Sequence, residues 1–508
     1  MSNLSIKNLL NTRALKKSVV YSSLLFTQIA LVGLAHSEDA KSHTNQSRSI
    51  WYNGIGTDQY DPLQTGVLSL PKIPLDDGAQ SPCNAIDLNQ PLSLAEIADS
   101  SLCNNPQTSE IWASARVQAA QLGIAKSAYL PSVTDNISAN ANVLSPNTGN
   151  RSNPNLNLSN SLVASYLLYD FGNRAANLEN ARQLLLSASA SQSSVVQTVL
   201  LSATVAFYQV QANIAALAAA IEAERASSES FKAAEARNRA GIATPADKLQ
   251  AQTAYAQLTL TRITSEGNLQ TAYGNLANVM GLPANQKITL ASSNPTTTSP
   301  ALEDVNSLIT QAALRRPDLI ASEAQLKAAQ ASIDASKAAA KPTLSVSVSN
   351  NTQDGSSLEN SNNSSLGFTV SIPLFNGYAP TYRIRAAEAT ADLRAAQRDR
   401  LRLQISLDVW TAYQNLRTAL ESVIASEVLV KSAVESYRLT LGRYKAGVGN
   451  IIDTLNAQSI LASARQQNIQ AALNANIARA TLAQAMGALD NAMIQSLPNT
   501  VTQNTSGL

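Results

Sequence analysis

The stretch LNLSNSLVASYLLYDFGNRAANLENARQLLLSASASQSS, residues 156–194, changes period in its middle. Before Gly172 the side chains alternate: Leu156, Leu158, Leu162, Ala164, Tyr166 and Leu168 share one face, and Asn155, Asn157, Ser159, Ser161 and Ser165 the other. Such alternation marks a strand that is wet on one side. Beyond Gly172 it stops, and neither Gly nor Pro occurs from Asn173 to Ala240. A run free of both breakers reads as one helix. At 1.5 Å per residue it would reach roughly 100 Å, far past the three or four turns usual in globular proteins, so it has to lie along other helices.

Working outward, Ser132 to Val143 alternates as well, with Val133, Ile137, Ala139, Ala141 and Val143 opposed to Ser132, Thr134, Asn136, Ser138, Asn140 and Asn142. With a Gly, Asn and Ser loop between them, the two segments predict a β-hairpin over 132–169. A shorter helix precedes it at about 105–129, and a return helix follows the long one over 245–280. The pattern is then written a second time. Asn105-Pro106 recurs as Arg316-Pro317, Leu130-Pro131 as Lys341-Pro342, and Leu168-Tyr169-Asp170-Phe171-Gly172 as Pro373-Leu374-Phe375-Asn376-Gly377. Arg239-Ala240-Gly241 returns as Lys445-Ala446-Gly447, and Met280-Gly281 as Met486-Gly487. The organisation expected is a first repeat over 92–281 (long helix 173–240), a linker over 282–301 and a second repeat over 302–487, then a polar tail over 488–508. The second repeat has its helix at about 316–340, its hairpin at 343–375, its long helix at 381–441 and its return helix at 451–486.

Composition agrees with extended helical packing. Only 14% of the residues are charged and 5% aromatic, so a thick aromatic core is not expected. The net charge of +2 is spread along the chain, with no basic patch to track phosphates, and nucleic acid is excluded as a partner. Arg13, Lys16 and Lys17, an apolar run from Val19 to Leu34, and the small-residue site at Gly33-Leu34-Ala35 read as a signal peptide over 1–35. An N-terminal extension over 36–91 follows. In an exported chain the only two cysteines, Cys83 and Cys103, are expected to pair, contributing on the order of 3 kcal/mol; two separate buried thiols are the alternative. The only histidines, His36 and His43, lie in the extension, and no metal site or cofactor is expected. No phosphate loop, GxGxxG or HExxH is present, and the chain is not read as an enzyme.

Two hairpins supply four strands with one polar and one apolar face. Four strands cannot close on themselves, and an open edge in lipid would leave backbone groups unpaired. Several chains must therefore share one barrel, with lipid on the Val, Leu, Ile and Phe face and water on the Ser, Thr and Asn face. The fold class expected is an α+β membrane protein, a shared β-barrel continued by a long α-helical coiled-coil barrel.

These residues resemble the TolC family of outer-membrane efflux and secretion channels. The resemblance is carried by the duplicated order of elements, Arg316-Pro317-Asp318-Leu319, Ser371-Ile372-Pro373-Leu374-Phe375-Asn376-Gly377, and the paired turns Arg239 to Thr244 and Tyr444 to Asn450. It implies a homotrimer with a twelve-stranded barrel and a periplasmic tunnel closed at its tip. It also implies docking to a periplasmic adaptor (membrane fusion) protein and an inner-membrane ABC or RND transporter, with outer-membrane lipid around the barrel. Cys83, Leu102-Cys103 and Asn105-Pro106-Gln107 are similar to the type I secretion, cyclolysin-exporter branch. The function implied is the outer-membrane exit channel of a tripartite export system for proteins. Multidrug or small-molecule efflux is the alternative, and a helical structural assembly that is no channel is a third reading.

The two turns after the long helices hold the candidate site residues. Thr244-Pro245-Ala246-Asp247 is a good helix start, with Thr as N-cap, Pro at the first helical position and an acid at the third; Asn450-Ile451-Ile452-Asp453 repeats it. Asp247 and Asp453 read locally as capping residues, and the resemblance also places them at the periplasmic tip gate with Tyr444. Asn456 stands where the family often carries an acid. Gly241 and Gly447 are expected to end the long helices in the left-handed conformation. Arg239 and Lys445 favour a helix carboxyl end, and by resemblance these turns meet the adaptor.

Overall fold

In the computed structural model, residues 63, 90–142, 155–291, 304–355, 358–490 and 493–494 are described. The signal peptide, Cys83, Val143, nearly all of the 36–91 extension and most of the linker and tail lie outside the described residues.

Helices α1 (Leu94–Asn104) and α2 (Pro106–Ser127) lead into strands β1 (Ser132–Asn142) and β2 (Asn155–Tyr169), followed by α3 (Asn173–Arg239) and α4 (Pro245–Val279). The second half supplies α5 (Val305–Arg315), α6 (Pro317–Ala338), β3 (Thr343–Gly355), β4 (Leu358–Ser371), α7 (Ala379–Lys445) and α8 (Ile451–Ala485). Helix lengths of 11, 22, 67 and 35 residues recur in that order in both halves. α1 and α5 are additional to the helices read from the sequence. Each ends at an extended residue, Asn105 or Arg316, because a following proline disfavours the helical region there. α7 runs past the expected end at 441: Gly442 costs a helix interior about 1 kcal/mol, yet the chain stays helical to Lys445. β4 ends at Ser371, short of the expected 375, since Pro373 has no amide to give a ladder.

The strands form one antiparallel sheet in the order β1-β2-β3-β4. Val133, Ala164, Val348 and Leu366 stand opposite one another in a single row across it. The other face carries hydroxyl pairs, Ser132 with Ser165 at 2.8 Å, Ser138 with Ser159 at 2.7 Å and Ser349 with Ser365 at 2.8 Å. Two details depart from plain alternation. A bulge between Leu167 and Tyr169 shifts the register, so Tyr169 rather than Leu168 opposes Leu344 on the apolar face. Farther from the helices, Asn350 on that face bonds Asn362 and Ser364, which confines the apolar band of β3 and β4 to the half nearest the helices.

Beside the sheet the helices pack in the order α2, α3, α6, α7, the order of the strands they adjoin; farther away the order is α4, α3, α8, α7. The result is a wall one layer thick. Its middle is the best packed part. Leu94, Ile97 and Leu102 of α1 join Val199, Phe207 and Tyr208 of α3, Leu276 of α4 and Leu473 of α8 in one core. Leu308 and Ala312 of α5 join Ile405 and Val409 of α7 in a second. There Arg316 ties the α5–α6 joint to α7, bonding Asp318 at 2.6 Å and Asp408 at 2.9 Å. A large apolar side chain fully buried contributes about 1.5–3 kcal/mol, so these cores hold the wall at mid-length.

Towards the far end the buried positions become small. On α3 they are Ala216, Ala220, Ala223, Ser227, Ser230 and Ala234, spaced alternately by four and three. A 3.5-residue period is the seam of a left-handed coiled coil, and small residues there let the backbones approach closely.

Candidate functional site

Both long helices end in the same way. Ile242 N–H donates to Arg237 O and Gly241 N–H to Asn238 O, each at 3.0 Å; Val448 N–H donates to Arg443 O and Gly447 N–H to Tyr444 O, each at 3.1 Å. The glycines supply the left-handed residue this ending requires, at φ 74° for Gly241 and 80° for Gly447. The residue after each glycine is apolar and turned outward: Ile242 and Val448 are both 71% exposed. The second turn is the tighter one. A Cβ on Gly449 would stand 2.9 Å from Tyr444 N, so only glycine fits.

The return helices start as their residues imply. Thr244 Oγ1 accepts from Asp247 N–H at 3.2 Å, and Asp247 Oδ2 accepts from Thr244 N–H at 3.0 Å, a complete capping box. Asn450 Oδ1 accepts from Ile452 N–H at 3.1 Å, leaving Asp453 exposed in the first turn of α8, with Asn456 exposed one turn on. Within one chain no hydrogen bond or ion pair among the described residues joins Asp247 to Asp453, Asn456 or Tyr444. Arg239 bonds Glu235 at 3.0 Å and Lys445 is exposed. Cys103 is disulfide-bonded, and its expected partner lies outside the described residues.

What joins the two turns is a residue that the sequence reading does not single out. Arg237 donates from Nη1 to Tyr444 O at 3.1 Å and sets its guanidinium 4.6 Å from the centroid of the Tyr444 ring. It thus adds a charged donor to the Tyr444 carbonyl, which already accepts from Gly447 N–H, and covers Tyr444, which is buried, with its hydroxyl unpaired. Only the repeat offered a signal for it, since Arg237 and Arg443 occupy matching positions.

The helices behind the turns are tied in pairs. Glu235 bridges α3 to α4 through Lys248 at 3.1 Å, and Glu224 does so through Arg262 at 2.8 Å. The Lys248 and Arg239 hydrogen bonds hold the Glu235 carboxyl below the usual glutamate range. Between α7 and α8, Asn468 donates to Ser426 at 3.0 Å. The seam between the pairs has no ion pair among the described residues. Gln458 donates across it from Nε2 to Ala223 O at 3.2 Å, while Gln458 Oε1 and Ser227 Oγ are buried without partners. A buried, unpaired oxygen costs about 1–3 kcal/mol, and both of these lie on this seam. Among the described residues no cluster of His, Cys, Asp and Glu could hold a metal.

Comparison with known proteins gives a consistent result. The profile of a family described as Outer membrane efflux protein matches residues 97–282 and 308–488. The chain is 31% identical to Protein CyaE of Bordetella pertussis over 414 residues, 80% of this chain and 86% of that one. It is 26% identical to the antibiotic efflux pump outer membrane protein ArpC of Pseudomonas putida, covering 64% of this chain and 68% of the relative. Among solved structures, the outer-membrane channel OprN superposes with a TM-score of 0.70 at 19% identity, covering 79% of this chain and 94% of that one.

Proposed function

The chain belongs to the outer membrane efflux protein family and lies in the outer membrane with its helices in the periplasm, and from that premise we propose that it is the exit duct of a tripartite export system. The observation that carries the proposal is the one-layer wall with open sides. β1 and β4 are both edges, and α2 and α7, or α4 and α7 farther down, are packed on one side only. The outer helices expose large apolar residues, among them Val117 and Ile124 of α2, Leu249 and Leu260 of α4, and Leu403, Leu407 and Trp410 of α7. One side differs from the other, so copies join head to tail, an arrangement that gives a ring when the rotation between neighbours closes. Three copies give the homotrimer and the twelve-stranded barrel that the family resemblance implies, with the hydroxyl-bearing face of the sheet inward.

The helix tip is the gate. Arg237 holds the α7–α8 turn against α3, and symmetry turns Asp247 and Asp453 into carboxylate rings about the axis, which favour cations at the closed entrance, with Asn456 a neutral ring one turn beyond Asp453. The adaptor docks on the tip turns, where Ile242 and Val448 offer apolar knobs beside the charges of Arg239 and Lys445. Energy for export comes from an inner-membrane ABC or RND transporter.

The cargo is protein, delivered by type I secretion, a reading supported by the likeness to CyaE over most of both chains. The likeness to ArpC favours small-molecule efflux as the second reading. Export in cells separates them. Deleting the chain is expected to remove a secreted protein from the medium and leave antibiotic and dye resistance unchanged. Lost resistance with normal secretion would transfer the function to small-molecule efflux.

A further inference from the structure

The strand-to-helix junctions hold chemistry that neither barrel closure nor the gate uses. The bulge at the end of β2 brings Tyr169 onto the lipid side of the sheet, opposite Leu344. Phe171 packs edge-to-face on Tyr169, with ring centroids 4.8 Å apart. Lys341, at the foot of β3, sets its ammonium 5.7 Å from the centroid of the Phe171 ring. The ammonium is exposed and enters none of the ion pairs of the described residues.

Phe171 also sits in the left-handed region, at φ 54°. That conformation suits Gly, Asn or Asp and is unfavourable for a bulky side chain. Packing inside the chain does not explain the choice, because Phe171 remains 42% exposed. The second junction repeats the device: Tyr378 lies at φ 62° and packs on Phe375 at 5.5 Å, and Arg385 lies 5.6 Å over Tyr382. Charge at this level leans positive. Residues 126–131, 170–176, 334–343 and 375–388 contain the cations Lys126, Arg174, Lys337, Lys341, Arg383 and Arg385 against the carboxylates Asp334, Glu388 and, nearest Phe171, Asp170. Arg174 engages Asp170 at 3.0 Å.

We propose that this collar is a binding site for anionic phospholipid in the periplasmic leaflet, with Lys341 and Lys337 on the headgroup phosphate and Phe171 and Tyr169 against the glycerol and upper acyl chain. An aromatic girdle alone would anchor the barrel in any bilayer. Unpaired lysines beside strained, outward-facing aromatics select negative headgroups, because each basic side chain at a charged membrane surface adds to the attraction.

The test uses the full-length protein in neutral detergent, titrated with phosphatidylglycerol, phosphatidylcholine or inorganic phosphate, reading the thermal midpoint and the lipid retained in native mass spectra. Phosphatidylglycerol is expected to raise the midpoint and to be retained, and the other two are not. Lys341→Gln is expected to raise the half-saturating phosphatidylglycerol concentration about fivefold, and Lys337→Gln/Lys341→Gln about twentyfold. Phe171→Gly keeps the turn and relieves its strain, so this variant should be as stable as the parent in lipid-free detergent and yet lose most of the lipid response. Lys431→Gln, on an exposed position of α7, should titrate like the parent. Equal shifts with phosphatidylcholine, a full shift with phosphate alone, or an unchanged titration in the double lysine variant would each overturn the site.

Discussion

Arg237 makes two contacts between the tip turns with one side chain, since its guanidinium bonds the Tyr444 carbonyl and covers the Tyr444 ring. Arg237→Ala removes a charge-assisted hydrogen bond and a cation–π contact, about 2–3 kcal/mol of the closed arrangement. It is expected to speed tryptic nicking at the tip arginines and lysines in the folded protein, by roughly tenfold or more. Gly449→Ala should do the same by another route, because its Cβ would collide with the Tyr444 backbone. Gly241→Ala meets only the left-handed penalty of about 1 kcal/mol and should be milder. Nicking rates that rank the two glycine variants the other way would refute this reading of the turns. At this scale local chemistry was legible and distant chemistry was not. The Thr244–Asp247 box spans three residues and can be read from the sequence, whereas the contact from Arg237 to Tyr444 spans 207. Tyr444 came only from family resemblance, and nothing in the residues said that an arginine would cover it.

The long helices show why their ends and middles behave differently. Large apolar residues pack the middle, and the tip seam is alanine and serine with unpaired oxygens at Ser227 and Gln458. Removing those oxygens should favour the closed state. Ser227→Ala is expected to lower the frequency of channel opening, about fivefold for about 1 kcal/mol, and Gln458→Met, which also gives up the bond to Ala223 O, should change it less. Unchanged opening in Ser227→Ala would show that the seam does not move, and more frequent opening would show that the Ser227 hydroxyl stabilises the closed state. The helices themselves were legible in the absence of Gly and Pro. Gly442 misled the boundary of α7, because one glycine is tolerated where neighbouring turns and packing continue the helix. The β2 bulge had no signal at all: Leu167, Leu168 and Tyr169 are all apolar, so alternation could not reveal a shifted register.

At the largest scale, the described residues of 61–508 form a four-stranded sheet whose outer strands β1 and β4 are edges, continued by long helices packed side by side. The apolar flank of α7 is expected to be the side that meets the next copy, so Leu403→Glu/Leu407→Glu should convert the proposed trimer to monomer in detergent without melting the mid-length cores. A trimer that survives this change would place the interface elsewhere. The four strands per chain were legible in the sequence; the number of copies was not, since it depends on curvature between chains. The most direct test of the channel and its gate is single-channel conductance in a planar bilayer, comparing the parent with Arg237→Ala. The parent is expected to give small, cation-favouring steps, and the variant larger ones with weaker selectivity. Identical steps in both would remove Arg237 from the gate, and no steps at all from folded, oligomeric protein would contradict the channel itself.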